Sequence, residues 1–467
     1  MDPHPSVSDR PRDLGHGRTG GAAGGVSRTG SAHARDAAVG AADVPRKHDA
    51  CDRRRPSAHR TPTREDGITT MTARNLTTRA GVINPHQLFD LSQEDTDSFS
   101  HLKSVLADGQ LFRYVESDRD SANTLVERHF AEHFRKERAV AVANGTVGLR
   151  LALRALGIGP GHRVAVNAYA FIACAMAISA TGAEPVPVDM GGSVLSMDAD
   201  ALEKSVGHLD AVLLVHVQGH ALAAGPIRAV CDRLGIPMIE DVCQALGAGS
   251  SEAGAGRVGD VAVTSFQQAK QISSGEGGLV AGPDEVIERV YRLSDLGAVR
   301  QENGLPDWDH EDALIGDNLR MTELQAALVM DQAVRLEDTL ARQRERRSRL
   351  RAGLSDIPVI ESENPAEDAG SHTLVLARDT AAAEEFRVEL ARRGVLARPV
   401  WKKSWVEYGL YRREFASGAP AGPWPGKAVG LASRILSIPT SKYVTDSAVD
   451  QVAEAIAAGR QHLTQDR

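Results

Sequence analysis

Arg138-Ala139-Val140-Ala141-Val142-Ala143-Asn144-Gly145-Thr146, followed by Leu149, Leu151, Ala152 and Leu156, decides how this 467-residue chain is read. The valine–alanine run spells a short buried strand, and the apolar residues behind it mark a helix. Asn144-Gly145-Thr146 joins the two. The amides of the helix's first turn and the Thr146 hydroxyl suit a phosphate at its positive end. A plain turn with Asn144 as helix cap accounts for the same residues.

The pattern recurs further along. The runs Arg163 to Asn167, Pro185 to Asp189, Ala211 to Val217, Met238 to Asp241 and Val261 to Phe266 are short and rich in Val and Ile, with helical segments or loops between them. Buried strands linked by helices predict an α/β fold, a largely parallel sheet with helices on both faces. One long helix is expected after Asn318-Leu319-Arg320-Met321, running through Leu324, Ala327 and Leu336 into Arg342-Gln343-Arg344-Glu345-Arg346-Arg347. That charge run reads as a solvated helix face. Beyond about residue 350 separate strand and helix signals predict a smaller α+β domain, closing with a helix over Val449 to Gly459. The expected organisation is an N-terminal extension over 1–70, a large domain over 71–330 and a linking helix with the small domain over 331–467.

An apolar share of 42% is enough for a full-sized core, while a net charge of −8 and a pI near 6.1 argue against nucleic acid or an anionic membrane as partner. Cys51, Cys174, Cys231 and Cys243 show no paired or metal-type spacing and read as reduced thiols. With no apolar span and no signal-peptide core, the expected location is cytoplasmic. Residues 1–70 contain no aromatic residue and are rich in Gly, Ala, Arg, Asp and Ser, a composition expected to be disordered. Arg53-Arg54-Arg55 could touch acidic partners, although a passive extension or an over-extended start before Met71 explains the tail as well.

Chemistry concentrates in Ser265-Phe266-Gln267-Gln268-Ala269-Lys270-Gln271-Ile272-Ser273-Ser274-Gly275-Glu276-Gly277-Gly278. It offers an amine, a hydroxyl five residues earlier and a glycine turn that lets backbone approach a bound ring. Pyridoxal 5′-phosphate needs a lysine, a carboxylate for its ring nitrogen, a phosphate site and an aromatic or apolar face. Candidates exist for each. Asp241 ends a strand, where ligands of open α/β sheets bind, although Asp also serves as a helix cap. Glu240 is the rival carboxylate, and alternation places it on the other side. Gly145, Thr146 and Ser265 are phosphate candidates, and Phe171 could stack on the ring or belong to the core. Gly157-Ile158-Gly159-Pro160-Gly161 follows a helix and not a strand, so it reads as a turn and not as a dinucleotide loop. His216 and His220 have metal-like spacing but no third ligand nearby, and no metal is expected.

Taken together, these blocks resemble the DegT/StrS family of pyridoxal-phosphate aminotransferases, the sugar and cyclitol branch of the aspartate-aminotransferase fold. The resemblance runs from about residue 85 to the C-terminus. It rests on Asn144-Gly145-Thr146, Asn167-Ala168-Tyr169-Ala170-Phe171, Val215-His216, Glu240-Asp241-Val242-Cys243-Gln244-Ala245, Ser265 to Gly278, and Gly316-Asp317-Asn318-Leu319-Arg320-Met321-Thr322-Glu323-Leu324-Gln325-Ala326-Ala327 in that order. It implies a fold-type-I architecture with a mainly parallel seven-stranded sheet. Lys270 matches the Schiff-base lysine, Asp241 the ring-nitrogen partner, and Gln244 a group near the phenolic oxygen. Gly145, Thr146 and Ser265 match phosphate ligands, and Phe171 the stacking aromatic. Asn318 matches a residue reaching the other subunit's cofactor, which implies a homodimer with shared sites.

Two departures stand out. Asn167 and Ala170 occupy a segment where the family usually has Pro and Thr, and Val217 to Gly225 lacks the usual acidic residue. Both concern the substrate side. The presence of Lys270 argues against the dehydratase members, which replace it. The Gln-Gln-x-Lys block is similar to that of glutamine-dependent inosose aminotransferases, and also to aminohydroxybenzoate synthases. The expected function is transfer of an amino group from L-glutamine or L-glutamate to a keto-cyclitol or keto-sugar, in antibiotic or other secondary metabolism. The alternatives are a nucleotide-linked keto-sugar aminotransferase and an enzyme like the aminohydroxybenzoate synthases. A non-catalytic cofactor-binding partner protein is the alternative of another class, disfavoured because a binding role would not need the base. A nicotinamide oxidoreductase is disfavoured because no glycine loop follows a strand in the right order.

Overall fold

The structure, a computed structural model, describes residues 94–463 apart from 115–119, 192–194, 205–206, 251, 302–304, 355–356, 363, 415–423 and 441–442. The expected N-terminal extension, with Cys51 and Arg53-Arg54-Arg55, lies outside the described residues.

Helices α1 (Ser100–Asp108) and α2 (Ala122–Phe134) lead into β1 (Arg138–Val142), α3 (Gly145–Ala155), β2 (Arg163–Asn167), α4 (Ile172–Ser179), β3 (Glu184–Val188), α5 (Ala199–Glu203), β4 (Ala211–Val215), α6 (Ala224–Leu234) and β5 (Met238–Asp241). The chain continues through β6 (Val261–Ser265), β7 (Gly278–Gly282), α7 (Asp284–Ser294), the short pair β8 (Val299–Arg300) and β9 (Pro306–Asp307), α8 (Glu323–Ala333) and α9 (Leu336–Ala352). It ends with β10 (Val359–Ile360), β11 (His372–Leu376), α10 (Thr380–Arg392), β12 (Arg398–Pro399), α11 (Gly409–Glu414), α12 (Gly426–Leu431), β13 (Ile435–Pro439) and α13 (Asp446–Ala458).

The expected α/β architecture is present. A seven-stranded sheet has the order β1-β7-β6-β5-β4-β2-β3, and a four-stranded antiparallel sheet the order β10-β11-β13-β12. In the large sheet only β7 runs against its neighbours. The central strands are buried along their whole length, β4 as Ala-Val-Leu-Leu-Val and β6 as Val-Ala-Val-Thr-Ser. That is the near-continuous apolar signature of a sheet covered on both faces.

Three expectations need correction. β7 went unread because Gly277, Gly278 and Gly282 give its segment the look of a turn, yet it pairs antiparallel with both β1 and β6. The single long helix after Met321 is two helices, α8 and α9. At the junction the Arg335 Nε donates to the Asp331 carbonyl at 3.0 Å, taking an acceptor that a continuous helix would use itself. The charge run on α9 is only partly solvated. Arg344 donates to the carbonyls of Gly247 and Asp368, and buried Arg347 pairs with Asp368 at 2.7 Å.

α8 owes its place to polar anchors more than to an apolar stripe. Buried Glu323 accepts from the Ala122 and Asn123 amides, and buried Asp331 from those of His101 and Leu102. Two carboxylates thereby satisfy the positive ends of α2 and α1. Gln332 clamps the segment after Lys270, accepting from the Ser273 amide and donating to the Ser273 carbonyl.

One glycine positions the site. Gly278 opens β7 in register with Val142 on one side and Ser265 on the other. A Cβ there would lie 2.5 Å from the Asn144 carbonyl carbon. Without it, the turn leaving β1 folds over the start of β7 and brings α3 down onto Ser265. Gly278→Ala should therefore lower the unfolding free energy measured in urea by about 1–3 kcal/mol, as overpacking does. It should also weaken pyridoxal phosphate binding, and a variant equal to the parent in both would remove this constraint.

Candidate active site

The parallel strands deliver their C-terminal ends to one edge of the large sheet, and a cavity of about 1220 Å³ opens there. Its wall includes Gly145, Thr146, Phe171, Asp241, Gln244, Ser265 and Lys270. These seven residues come from the start of α3, the start of α4, the end of β5, the end of β6 and the loop before β7. Asn318 is not among the lining residues. It is exposed and bridges to Asp295 through the backbone.

Each feature has a local cause. Asn144 caps α3, accepting from the Val147 amide at 2.9 Å, so the cap reading of Asn144 holds alongside any phosphate role. Among the described residues the Gly145 and Thr146 amides have no acceptor, and both residues line the cavity. A Cβ on Gly145 would stand 2.9 Å from both the Ser265 Cβ and the Cys243 sulfur, so only glycine lets the helix end approach this closely. Lys270 sits in a loop closed by three backbone bonds, Phe266 N to Gly277 O, Gln268 N to Gly275 O and Ser274 N to Phe266 O. Ile272 buries itself beneath that loop. Phe171 is half exposed at the start of α4, so it belongs to the cavity and not to the core.

Asp241 is buried at the end of β5, with no helix behind it to cap. Its Oδ1 accepts from the Cys243 amide at 2.9 Å and its Oδ2 from the Cys174 thiol at 3.2 Å. Burial, reinforced by the Asp241 charge, pushes both thiols well above the ordinary cysteine value, so they remain protonated donors. Glu240 points to the other side of the strand, where it accepts from Gly256, Val258 and Gly259 amides and from His216 at 2.8 Å. His216 also accepts from the Leu222 amide, so both its ring nitrogens are engaged by protein.

The opposite wall comes from residues that sequence reasoning missed: His372 on β11, Arg398 on β12, and Trp401, Lys402 and Tyr408 beyond it. The only sequence signal was the cation–aromatic cluster Arg398 to Lys403. Burial alone pushes the Arg398 guanidinium down to about 10, and no carboxylate partners it among the described residues. Burial, with His220, Lys270 and Arg347 nearby, pushes His372 down to about 3, which keeps it neutral. This wall is tied to the large sheet. Trp405 Nε1 donates to the Asn167 carbonyl at 2.7 Å, Ser404 Oγ to the Ala168 carbonyl at 2.7 Å, and Tyr169 meets the Trp401 ring edge-on at 4.6 Å.

The donor set fits pyridoxal phosphate. Free helix amides and the Thr146 and Ser265 hydroxyls suit its phosphate, a desolvated carboxylate suits its ring nitrogen, and an amine stands in the same cavity.

Residues 93–457 match the DegT/DnrJ/EryC1/StrS aminotransferase family. The erythromycin biosynthesis sensory transduction protein EryC1 of Saccharopolyspora erythraea is 30% identical over 346 residues, covering 72% of this chain and 90% of that protein. The L-glutamine:2-deoxy-scyllo-inosose aminotransferase of Streptoalloteichus tenebrarius is 33% identical over 231 residues, covering 48% and 54% respectively. The crystal structure of 3-amino-5-hydroxybenzoic acid synthase matches with a TM-score of 0.71 at 24% identity, over 81% of this chain and 99% of that one, and speaks for the fold. The chain belongs to this family; it is an aminotransferase, and its cofactor is pyridoxal 5′-phosphate. No helix among the described residues is long and apolar enough to cross a membrane.

Two half-buried histidines set a pH dependence. His372 is held down to about 3 and His133, mainly by burial, to about 4, against about 6.5 when unfolded. Between those values the unfolded chain binds protons that the folded chain refuses. Their contribution is full above pH ~6.5 and is lost as pH falls toward the folded values. Urea midpoints should be flat from pH 7.5 to about 6.5 and then fall, by about 1–2 kcal/mol per histidine at pH ~5. His133→Gln should flatten the fall, and an unchanged slope would contradict the assignment.

Proposed function

We propose that this member of the DegT/DnrJ/EryC1/StrS family moves the amino group of L-glutamine or L-glutamate onto a keto-cyclitol or keto-sugar, in antibiotic or related secondary metabolism. The observation that carries this reading is the one cavity that holds Lys270, Asp241 and the start of α3 together with Arg398, which has no acid partner among the described residues. A guanidinium on the cavity wall with no acid beside it among the described residues is suited to a carboxylate, which both donors carry. The named activity of the Streptoalloteichus relative and the form of the lysine block support a cyclitol acceptor.

Pyridoxal phosphate, when bound, supplies an electron sink that lets the donor's α-carbon–hydrogen bond break. Gly145, Thr146 and Ser265 would hold its phosphate, Asp241 would accept from its ring nitrogen, Gln244 would donate toward its phenolic oxygen, and Phe171 would cover a face. Lys270 Nζ, once free, takes the α-proton of the donor, and in the second half-reaction it returns a proton to the acceptor carbon. His372 remains neutral throughout and adds no charge to the cavity. The active form in this reading is a homodimer, with Asn318 of each subunit facing the other's site. Leu296, Leu305, Trp308 and Ile315 are exposed apolar side chains in the segment before Asn318 and are available for that contact.

Nucleotide-linked keto-sugars are the second reading, favoured by one observation: Lys402 stands with Arg398 on the same wall, and two cations suit a diphosphate.

The test begins with the absorption of the holoenzyme. L-Glutamine or L-glutamate should move the visible band into the near ultraviolet, and the effective donor should then aminate a keto-cyclitol in preference to a nucleotide-linked keto-sugar. A band unmoved by either donor would overturn the donor assignment; exclusive use of the nucleotide sugar would replace the acceptor. Lys270→Ala should lower turnover by at least about 100- to 10,000-fold. Arg398→Ala should raise the donor KM by about 10- to 100-fold with a smaller change in kcat, the scale of a lost charged hydrogen bond.

A further inference from the structure

Gln218 is one of three non-glycine residues with positive φ among the described residues. It has φ 51° and Gly219 has φ 84°, and the His220 amide donates to the Val217 carbonyl at 2.9 Å. Two positive-φ central residues closed in this way make a type I′ turn, whose first central position favours Asn, Asp or Gly. Glutamine pays a conformational penalty there without the local side-chain bonding that lets Asn adopt this geometry. Such an outlier points toward a role for the side chain.

The role is visible in its contacts. The Gln218 backbone amide and its Nε2 both donate to Gln244 Oε1, at 3.1 and 3.2 Å. A backbone N–H can only donate, so the Gln244 atom facing it must be the carbonyl oxygen, and the amide orientation is fixed by chemistry. Gln244 is then obliged to turn its NH2 the other way. That nitrogen has no protein acceptor among the described residues, and Gln244 lines the cavity.

The turn is itself held from behind. His220 Nδ1 faces the Val217 and Gln218 carbonyls at 3.2 and 3.1 Å, and its Nε2 faces Arg347 at 3.4 Å. Burial lowers the proton affinity of His220, which suits a neutral ring donating at Nδ1 and accepting at Nε2. Arg347 is anchored by Asp368 at 2.7 Å, and Asp368 also accepts from the Ala221 amide. The Ala369 amide donates to the Gly219 carbonyl at 2.8 Å. Buried polar groups on α9 and on the segment before β11 thus fix the turn that fixes the amide.

We propose that Gln218 is a positioning residue that locks the Gln244 carboxamide with its N–H donors directed at the bound cofactor, through a strained turn braced by His220, Arg347 and Asp368. The inference rests on the placement of Gln244 beside the ring's phenolic oxygen, proposed above. A donor held there favours the negatively charged oxygen, so losing it should let the protonated form of the bound cofactor persist to higher pH.

The test uses the full chain, with pyridoxal phosphate itself as probe and no turnover measurement. Gln218→Gly keeps the backbone donor, suits positive φ and removes the side-chain donor. Its urea midpoint should equal or exceed that of the parent, while pyridoxal phosphate binds about 3- to 10-fold more weakly. The pH midpoint of the bound cofactor's visible absorption should move upward. Gln218→Asn, with a shorter amide in a tolerated conformation, should fall between Gly and the parent. Gln244→Ala should reproduce both cofactor effects, and Gln218→Gly/Gln244→Ala should be no worse than Gln244→Ala alone. If Gln218→Gly binds and titrates like the parent while Gln244→Ala does not, the positioning role is wrong and the placement of Gln244 stands. Effects that multiply in the double variant would also sink it. If Gln244→Ala changes nothing, the placement of Gln244 fails and this inference with it.

Discussion

The site depends on a steric allowance at the edge of the large sheet. β7 lies between β1 and β6, so the helix that follows β1 starts two strands away from Ser265 at the end of β6. The gap closes because the intervening strand begins with Gly278, whose missing Cβ lets the Asn144–Gly145 turn cross over it. Gly145, also without a Cβ, then rests against Ser265 and Cys243. A phosphate held by helix amides and a strand-end hydroxyl needs this closeness, and ordinary strand spacing would not provide it. The antiparallel β7 has a second consequence. It carries the chain back from the Lys270 loop, so Lys270 and Ser265 belong to one continuous hairpin-like unit.

Rigidity around that unit comes from polar groups that are buried and satisfied. Gln332 grips Ser273 by both its amide nitrogen and its oxygen, and Glu323 and Asp331 on the same helix hold the starts of α2 and α1. A half-satisfied group in such a network would cost more than an apolar residue. The cavity floor therefore has few alternative arrangements, and that suits a site whose reacting atoms must stay in register.

The parts that could be read from sequence are those whose chemistry and burial coincide in a few consecutive residues. β2 and β5 have the expected bounds because their residues are buried on both faces and flanked by clear breaks. Asp241 and Ser265 could be singled out because strand ends in a parallel sheet all face one way, and Lys270 because its segment combines an amine with a nearby hydroxyl and a glycine turn. β7 could not, since glycines that permit a close approach look the same as glycines that make a turn. Neither Gly nor Pro marks the break between α8 and α9; a side chain, Arg335, takes over a backbone acceptor. The Arg344 and Arg347 contacts with Gly247 and Asp368 join segments far apart in the chain, and a local charge pattern holds no trace of them. The same holds for the wall formed by His372, Arg398 and Trp401, which only the packing of the second sheet brings to the cavity.

Asn167 shows how a departure from the usual family pattern can be structural in cause and still bear on specificity. Its side chain accepts from the Val215 amide at 2.9 Å and faces the Val215 carbonyl, so it seams β2 to β4 where their ladder ends. A proline at this position would have no such side chain. The Asn167 carbonyl meanwhile receives the Trp405 indole, and the next carbonyl receives Ser404. The segment bearing Trp401 and Lys402 is thus fastened to the large sheet by backbone acceptors that Asn167 helps hold in place. The cavity thereby gains a braced wall, with Tyr169 packed against Trp401 and the cations Arg398 and Lys402 beside it. A fixed wall discriminates by the polar groups it leaves unpaired when the wrong ligand binds. On this wall those groups are the cations Arg398 and Lys402, which suit the carboxylate of the proposed amino donor.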